Sequence, residues 1–156
     1  MSIRNFDKLF RPRSVALIGA GERPGSVGAV VLRNLRRGGF GGELMLVNPH
    51  HETLDGLPVY PNVAALPSVP DLAVIVTPPP TVPGLITELG ARGTKAAVVI
   101  TAGFGELGEA GRALQQATLD AARPRLLRIV GPNCVGILVP PIGLDASFSH
   151  IAPPAG

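Results

Sequence analysis

Glycines are the residues best placed to do chemistry in this sequence. Gly19-Ala20-Gly21-Glu22-Arg23-Pro24-Gly25-Ser26-Val27-Gly28 follows a β-branched run and leads into a stretch of helical spacing. Lacking a Cβ, glycine lets backbone approach phosphate oxygens, and a helix N-terminus offers free N–H groups with partial positive charge. The turn is an anion site in outline, with Gly19, Gly21, Pro24, Gly25, Val27 and Gly28 as its backbone and Ser26 as N-cap or phosphate donor. Arg23 either adds a charge-assisted contact or is a solvated loop residue. A bulky residue at Gly28 is expected to block phosphate approach and weaken binding.

Spacing narrows the ligand. A dinucleotide fingerprint would place its third glycine three residues after Gly21, where Pro24 stands. The next strand ends in Val47-Asn48-Pro49-His50-His51 rather than on the acid that holds an adenine ribose, and Glu52 is displaced from that place. No Gly-Lys-Ser/Thr triplet occurs, so a Walker-type phosphate loop is excluded.

Ligands of open α/β sheets bind beyond the carboxyl ends of the strands. The remaining candidates are therefore Asn48, Pro49 and His50; Thr77, Pro78 and Pro79; Thr101, Ala102, Gly103 and Phe104; and Asn133. Each also has a plainer reading: Pro78-Pro79-Pro80 stops a strand and starts a helix, Phe104 packs the core, and Asn133 bonds its own turn. Cys134 has no evident His partner and reads as a small buried hydrophobe, so Cys134→Ala should leave binding nearly unchanged. His50 and His51 lack a second ligand at metal-site spacing, and no metal site is assigned.

The elements that must position these turns follow from periodicity. Short β-branched runs at Ser14–Ile18, 44–47, 72–76, 96–100 and 127–130 alternate with helical spacing at Val27–Arg37, 83–92 and Glu109–Ala122. Several runs lack polar alternation, which suits strands covered on both faces. The expected fold is α/β and Rossmann-like: a mostly parallel, doubly wound sheet of about five or six strands with helices on both faces. A short helix is expected at 62–66 and a single helical turn at Phe6–Phe10, ending before Pro12.

Composition limits the function classes. The 156 residues fit one domain able to bury a core without disulfides, and the single cysteine rules out an intrachain bridge. Aromatic residues make up 4% with no Trp, which argues against stacking on single-stranded nucleic acid, and the apolar runs are too short to span a bilayer. No secretory signal is present in residues 1–10, so a cytoplasmic location is expected. The net charge is +3, yet residues 1–40 hold eight Lys or Arg against two acids, a basic third that suits an anionic ligand or a solvated positive face. Residues 150–156 lack periodicity and include Pro153 and Pro154. We read 1–145 as the ligand-binding domain and 146–156 as the start of a linker to a following domain outside this sequence.

Arg11-Pro12-Arg13-Ser14-Val15-Ala16-Leu17-Ile18-Gly19-Ala20, Pro24-Gly25-Ser26-Val27-Gly28, Val47-Asn48-Pro49, Val76-Thr77-Pro78-Pro79, Ile100-Thr101-Ala102-Gly103-Phe104-Gly105-Glu106 and Gly131-Pro132-Asn133-Cys134-Val135-Gly136 occur in that order. Together they resemble the CoA-binding domain of NDP-forming acyl-CoA synthetases, the α-subunit N-terminus of succinyl-CoA synthetase, and a module of bacterial GNAT-type protein acetyltransferases. The resemblance covers nearly the whole chain. It implies that Gly21 and residues 24–28 cradle the phosphates of coenzyme A or an acyl-CoA, and that Asn48-Pro49-His50 lies near the nucleotide. Thr77-Pro78-Pro79 and Thr101-Ala102-Gly103-Phe104 would then line the adenine and pantetheine path through their backbones. Asn133 would lie near the thioester end and could orient an acyl carbonyl. Relatives often carry Lys after the Asn-Pro pair, where this chain has His50, a neutral donor of less charge.

In the synthetases a phosphohistidine on the next domain and an ATP-grasp part carry the chemistry, and His150 has none of the surrounding motif. The expected function is therefore CoA binding, within a multidomain acyl-CoA synthetase or a protein acetyltransferase, with no catalytic residue in this chain. Its expected partners are CoA and further domains or a subunit of the same enzyme, not nucleic acid or membrane, and a homo-oligomer is compatible with the sequence. A stand-alone NAD(P)-binding oxidoreductase or nucleotide-ligand sensor is the alternative, although no Ser/Tyr/Lys or His/Asp set for hydride transfer can be placed.

Overall fold

The computed structural model describes residues 3–152 and 154. Strand β1 (Ser14–Ile18) is buried at every position, as a β-branched run without polar alternation requires. It is the middle of a seven-stranded sheet. On one side it pairs in parallel with β2 (Glu43–Val47) and on the other with β5 (Leu72–Ile75), and the order is β3-β4-β2-β1-β5-β6-β7. Strands β6 (Ala96–Val99) and β7 (Arg128–Val130) continue the parallel pairing. Beyond β2 lies β4 (Leu57–Tyr60), parallel to it, and then the short antiparallel edge strand β3 (Thr53–Leu54).

The two faces separate by strand parity. Val15 and Leu17 face a core shared with Val31, Leu32 and Leu35 of α2 (Val27–Arg37), while Ala16 and Ile18 face Val82, Ile86 and Leu89 of α3 (Val82–Arg92). α4 (Glu109–Ala122) lies on the α3 face, and α1 (Phe6–Phe10) inserts Leu9 into the α2 face. That face is completed by an antiparallel hairpin of β8 (Gly136–Val139) and β9 (Leu144–Ser147), whose Ile137, Leu144 and Ala146 join the same core. Here Gly38 at the end of α2 meets the hairpin turn so closely that a Cβ would stand 2.4 Å from the Gly143 carbonyl oxygen.

The α/β, doubly wound reading holds, with two additions and two corrections. The β3–β4 hairpin raises the strand number of the main sheet above the expected five or six, and the β8–β9 hairpin forms a separate two-stranded sheet. The short helix expected at 62–66 is a 3₁₀ turn at Val63–Ala65, capped by Asn62 Oδ1 accepting from the Ala65 N–H at 2.9 Å. The boundary expected between residues 145 and 146 falls inside β9. Ala146 and Ser147 are fully buried there, so the packed unit includes residues first assigned to a linker. Residues 1 and 2 of the expected domain, and 153, 155 and 156 of the expected linker, lie outside the described residues. Among the described residues no helix is long and apolar enough to cross a membrane.

Candidate functional site

The strand order turns about β1, with β2 built outward to one side and β5 to the other. The turns leaving β1 and β5 therefore diverge and open a crevice at the carboxyl edge of the sheet. Gly19 closes β1 there. Its N–H bonds the Val47 carbonyl at 3.0 Å, and at φ 98° a Cβ would stand 2.8 Å from Val76 Cγ2, so only glycine fits. The chain then swings out through Arg23, Pro24 and Gly25, all exposed, and returns at Ser26 to begin α2.

Ser26 is the N-cap. Its Oγ accepts the Ala29 N–H at 3.3 Å and keeps its own proton free to donate. The first N–H groups of α2, at Val27 and Gly28, have no acceptor within the helix and carry its positive end. Gly28 also has a packing role that its place in the turn did not announce. It is buried beneath the turn, where a Cβ would lie 2.2 Å from the Gly19 carbonyl oxygen. Its small size lets helix and strand pack closely, the task of the third glycine in a dinucleotide fingerprint, reached here by a longer loop.

Two adjoining clefts open at the strand ends. The first, of about 450 Å³, lies among Gly19, Asn48, Pro49 and His50 on one side and Pro61, Val63, Thr77, Pro78, Leu85 and Glu88 on the other. The second, of about 410 Å³, is lined by Val27, Ile100, Thr101, Ala102, Asn133 and Phe148. They share Val76, Thr77 and Pro78, so one ligand can pass from one to the other across the end of β5.

Hydrogen bonding shows which groups remain for a ligand. Asn48 lines the first cleft, but its Nδ2 donates to Ala20 O at 2.7 Å and its Oδ1 accepts the His50 N–H at 2.8 Å. It ties the end of β2 to the glycine turn and presents His50, whose exposed imidazole reaches the cleft. Thr81 Oγ1 donates to Pro78 O at 2.6 Å, so in the 2.7 Å contact between the two threonine hydroxyls Thr77 must be the donor. Thr101 Oγ1 donates to Thr77 O at 2.8 Å and so joins the ends of β5 and β6 where the clefts meet. Asn133, in the left-handed region at φ 54°, holds the same edge by donating its N–H to Thr101 O at 2.9 Å.

The structure thus brings Gly19, Asn48, Pro49, His50, Thr77 and Pro78 to the first cleft and Val27, Thr77, Pro78, Thr101, Ala102 and Asn133 to the second. Other candidates fall elsewhere. Gly21 opens onto a cleft of about 550 Å³ on the outer side of α2, with Arg33, Arg36 and Arg37. Pro79 backs Gly103, whose Cβ would stand 2.7 Å from its ring, and neither lines the two clefts. Phe104 is fully buried in the core on the α3 face, and its carbonyl packs against Gly111 of α4, which corrects its place among the cleft-lining residues. Sequence reasoning missed Val76, Leu85, Glu88, Pro61, Val63 and Phe148. Only Pro61-Asn62 carried a usable signal, as a turn directly after a strand.

Two ionisable groups near the site are shifted from their ordinary pKa. Burial pushes the Cys134 thiol up, and its Sγ donates to Val99 O at 3.3 Å, so at neutral pH it is a packed thiol rather than a nucleophile. Glu106 is held below the usual carboxylate range, first by the Gly103 N–H that its carboxylate accepts, and it fastens the loop after β6. Among the described residues no group of three His, Cys, Asp or Glu could hold a metal ion. A further cleft of about 540 Å³ at the start of β7 is lined by Leu119, Leu126 and Arg128; it lies at the amino edge of the sheet, near the negative end of α4.

Residues 13–140 match the family described as CoA binding domain. The chain is 40% identical over 150 residues to the ADP-forming acetate–CoA ligase I of Archaeoglobus fulgidus, covering 96% of this chain and 22% of that protein. It is 43% identical over 135 residues to a trans-feruloyl-CoA synthase of an unknown prokaryotic organism, covering 86% of this chain and 19% of the relative. The chain thus spans about a fifth of the length of these relatives. The solved structure of a dinucleotide-forming acetyl-coenzyme A synthetase 1 from Candidatus Korarchaeum cryptofilum, in complex with phosphate and ADP, superposes with TM-score 0.86 at 39% identity, over 92% of this chain and 30% of that one. With the glycine turn, the doubly wound sheet and the strand-end clefts in place, this chain belongs to the CoA binding domain family and is homologous to the corresponding part of ADP-forming acyl-CoA synthetases.

Proposed function

We propose that the chain holds coenzyme A, or an acyl-CoA, across the two clefts, as the CoA-binding part of an NDP-forming acyl-CoA synthetase. The observation that carries this reading is the junction at Thr77-Pro78, where an apolar cleft with a histidine at its rim meets a second apolar cleft beside the start of α2. The residues present fit the group. Ser26 Oγ and the first N–H groups of α2 would hold phosphate, Arg23 stands exposed beside them, and the walls formed by Val47, Pro61, Val63 and Leu85 suit an adenine ring. His50 would then meet a nucleotide phosphate where relatives often carry Lys.

CoA supplies the thiol on which a thioester is made. The chain supplies position, because among the described residues no base or activated nucleophile faces the second cleft and Cys134 stays protonated. Asn133 sits where it could orient an acyl carbonyl. The choice of acid lies outside this part, since relatives named for acetate and for ferulate share it at 40% and 43% identity. A ligase setting is favoured over an acetyltransferase by those same names, and a cytoplasmic location and association with further parts of one synthetase belong to this reading. The decisive experiment is calorimetric titration with CoA, dephospho-CoA, NAD and NADP in parallel. Saturable binding of CoA supports the reading, whereas preference for NAD or NADP would return the chain to an oxidoreductase or a nucleotide sensor.

A further inference from the structure

Three buried polar side chains around β9 have no part in the reading above. Asn34 of α2 is fully buried, and its Nδ2 donates to Ser147 O at 2.9 Å and to Ser149 O at 2.8 Å. Ser147 is fully buried too; its Oγ donates to Asp145 Oδ1 at 2.6 Å and accepts the Ser149 N–H at 3.2 Å. Arg37 approaches the other oxygen of the buried Asp145 at 3.6 Å. Burying so many polar groups is costly unless each finds a partner. Here they do, and what they hold in place is the backbone of residues 147–149.

That backbone carries Phe148. Its N–H donates to Val135 O at 3.1 Å, and its ring packs partly against the core on the α2 face while lining the second cleft beside Val27, Thr101 and Asn133. Val27 and Asn34 lie about two turns apart on one face of α2, so a single helix sets both the phosphate-facing terminus and the clamp on this segment. The rest of the second cleft is chiefly Val76, Pro78, Ile100 and Ala102, a lining suited to methylene groups rather than to phosphate.

We infer that Phe148 contacts the ligand, forming a wall of the second cleft against the apolar arm that carries the CoA thiol, and that Asn34 is a positioning residue acting through it. An aromatic ring on a fixed backbone offers apolar area with little freedom left to lose on binding. The inference rests on the CoA reading and adds to it the residue that distinguishes the thiol arm from the nucleotide.

The test exploits the absence of tryptophan from the sequence. Phe148→Trp introduces a single indole, to be titrated with CoA and with adenosine 3′,5′-bisphosphate, which lacks the arm. The emission shifts with CoA and stays constant with the bisphosphate while calorimetry records binding of both. In parallel, Phe148→Ala weakens CoA by roughly tenfold and leaves the bisphosphate nearly unchanged, with thermal melting confirming that the variant folds. Asn34→Ala in the Phe148→Trp background moves the emission towards that of an exposed indole and reduces its response to CoA. An indole silent to CoA that calorimetry shows to be bound would overturn the inference, as would equal losses for the two ligands in Phe148→Ala. Failure of the unaltered chain to bind CoA instead refutes the underlying reading, and is seen before any variant is made.

Discussion

Gly28→Ala isolates the packing that builds the site from the chemistry that uses it. In an exposed helix interior this exchange ordinarily stabilises by about 1 kcal/mol. At Gly28 the new Cβ would lie 2.2 Å from Gly19 O and 3.3 Å from Gly19 C. The first distance is about 1 Å short of an ordinary carbon–oxygen contact. Both atoms belong to a backbone fixed by the Gly19 N–H bond to Val47 O, so neither rotation of a side chain nor a small local shift relieves the overlap. Overpacking of this kind costs about 1–3 kcal/mol, and the rigid partner argues for the upper end. After the propensity gain the net loss is about 2 kcal/mol, which for a chain of this size lowers the melting temperature by about 4–8 °C. Circular dichroism melting measures this, with Gly21→Ala as control, since its Cβ would find only Ser26 Oγ at 3.9 Å. An unchanged or raised melting temperature for Gly28→Ala would refute the packing argument and return Gly28 to the ligand-facing role expected from the sequence.

Three further outcomes follow from the hydrogen bonds and ionisable groups. Cys134→Ala should leave CoA affinity nearly unchanged, and alkylation of the wild-type thiol should be slow at neutral pH and quicken only well into the alkaline range, because burial raises its pKa; mass spectrometry of iodoacetamide adducts follows this. Thr101→Val should weaken CoA by about threefold to tenfold, the size of one hydrogen bond of about 1 kcal/mol, by releasing Thr77 O from the junction; Thr101→Ser should recover most of it in calorimetry. Glu106, with its pKa depressed in the folded state, contributes stability that is full at neutral pH and is lost as pH falls through that lowered value. The Gly103 amide resonance should therefore titrate below the ordinary Glu range, and Glu106→Gln should abolish that titration.

Much of the frame was legible because local signals and tertiary demands agreed. Ser14–Ile18 and Val27–Arg37 were bounded correctly from an apolar run and from Ser26 as a cap, and both end where the sheet and core need them to end. The hairpins were harder. Thr53–Leu54 is too short to show alternation, and Pro58 weakens Leu57–Tyr60 as a strand, although Asp55-Gly56, both at positive φ, is a two-residue turn signal that was present and overlooked. Gly136–Val139 and Leu144–Ser147 are separated by Pro140-Pro141, and no element is expected there from the sequence; only their packing on α2 makes them strands. In the site, turns adjoining strands were found from position alone. Which atoms face the clefts was not, because Asn48 and Thr101 spend their side-chain groups on neighbouring backbone, and Phe148 reaches the second cleft through a buried network that no spacing rule describes.

The most direct test of the central claim is amide chemical-shift mapping of the isotope-labelled chain on titration with CoA. The account predicts shifts confined to the carboxyl edge of the sheet: Gly19 and residues 26–28, Asn48 and His50, Thr77, Thr101 and Ala102, and Asn133 with Phe148, while the cleft at the start of β7 stays unmoved. Perturbations centred on Leu119, Leu126 and Arg128, or limited to one of the two strand-end clefts, would contradict a single CoA lying across both.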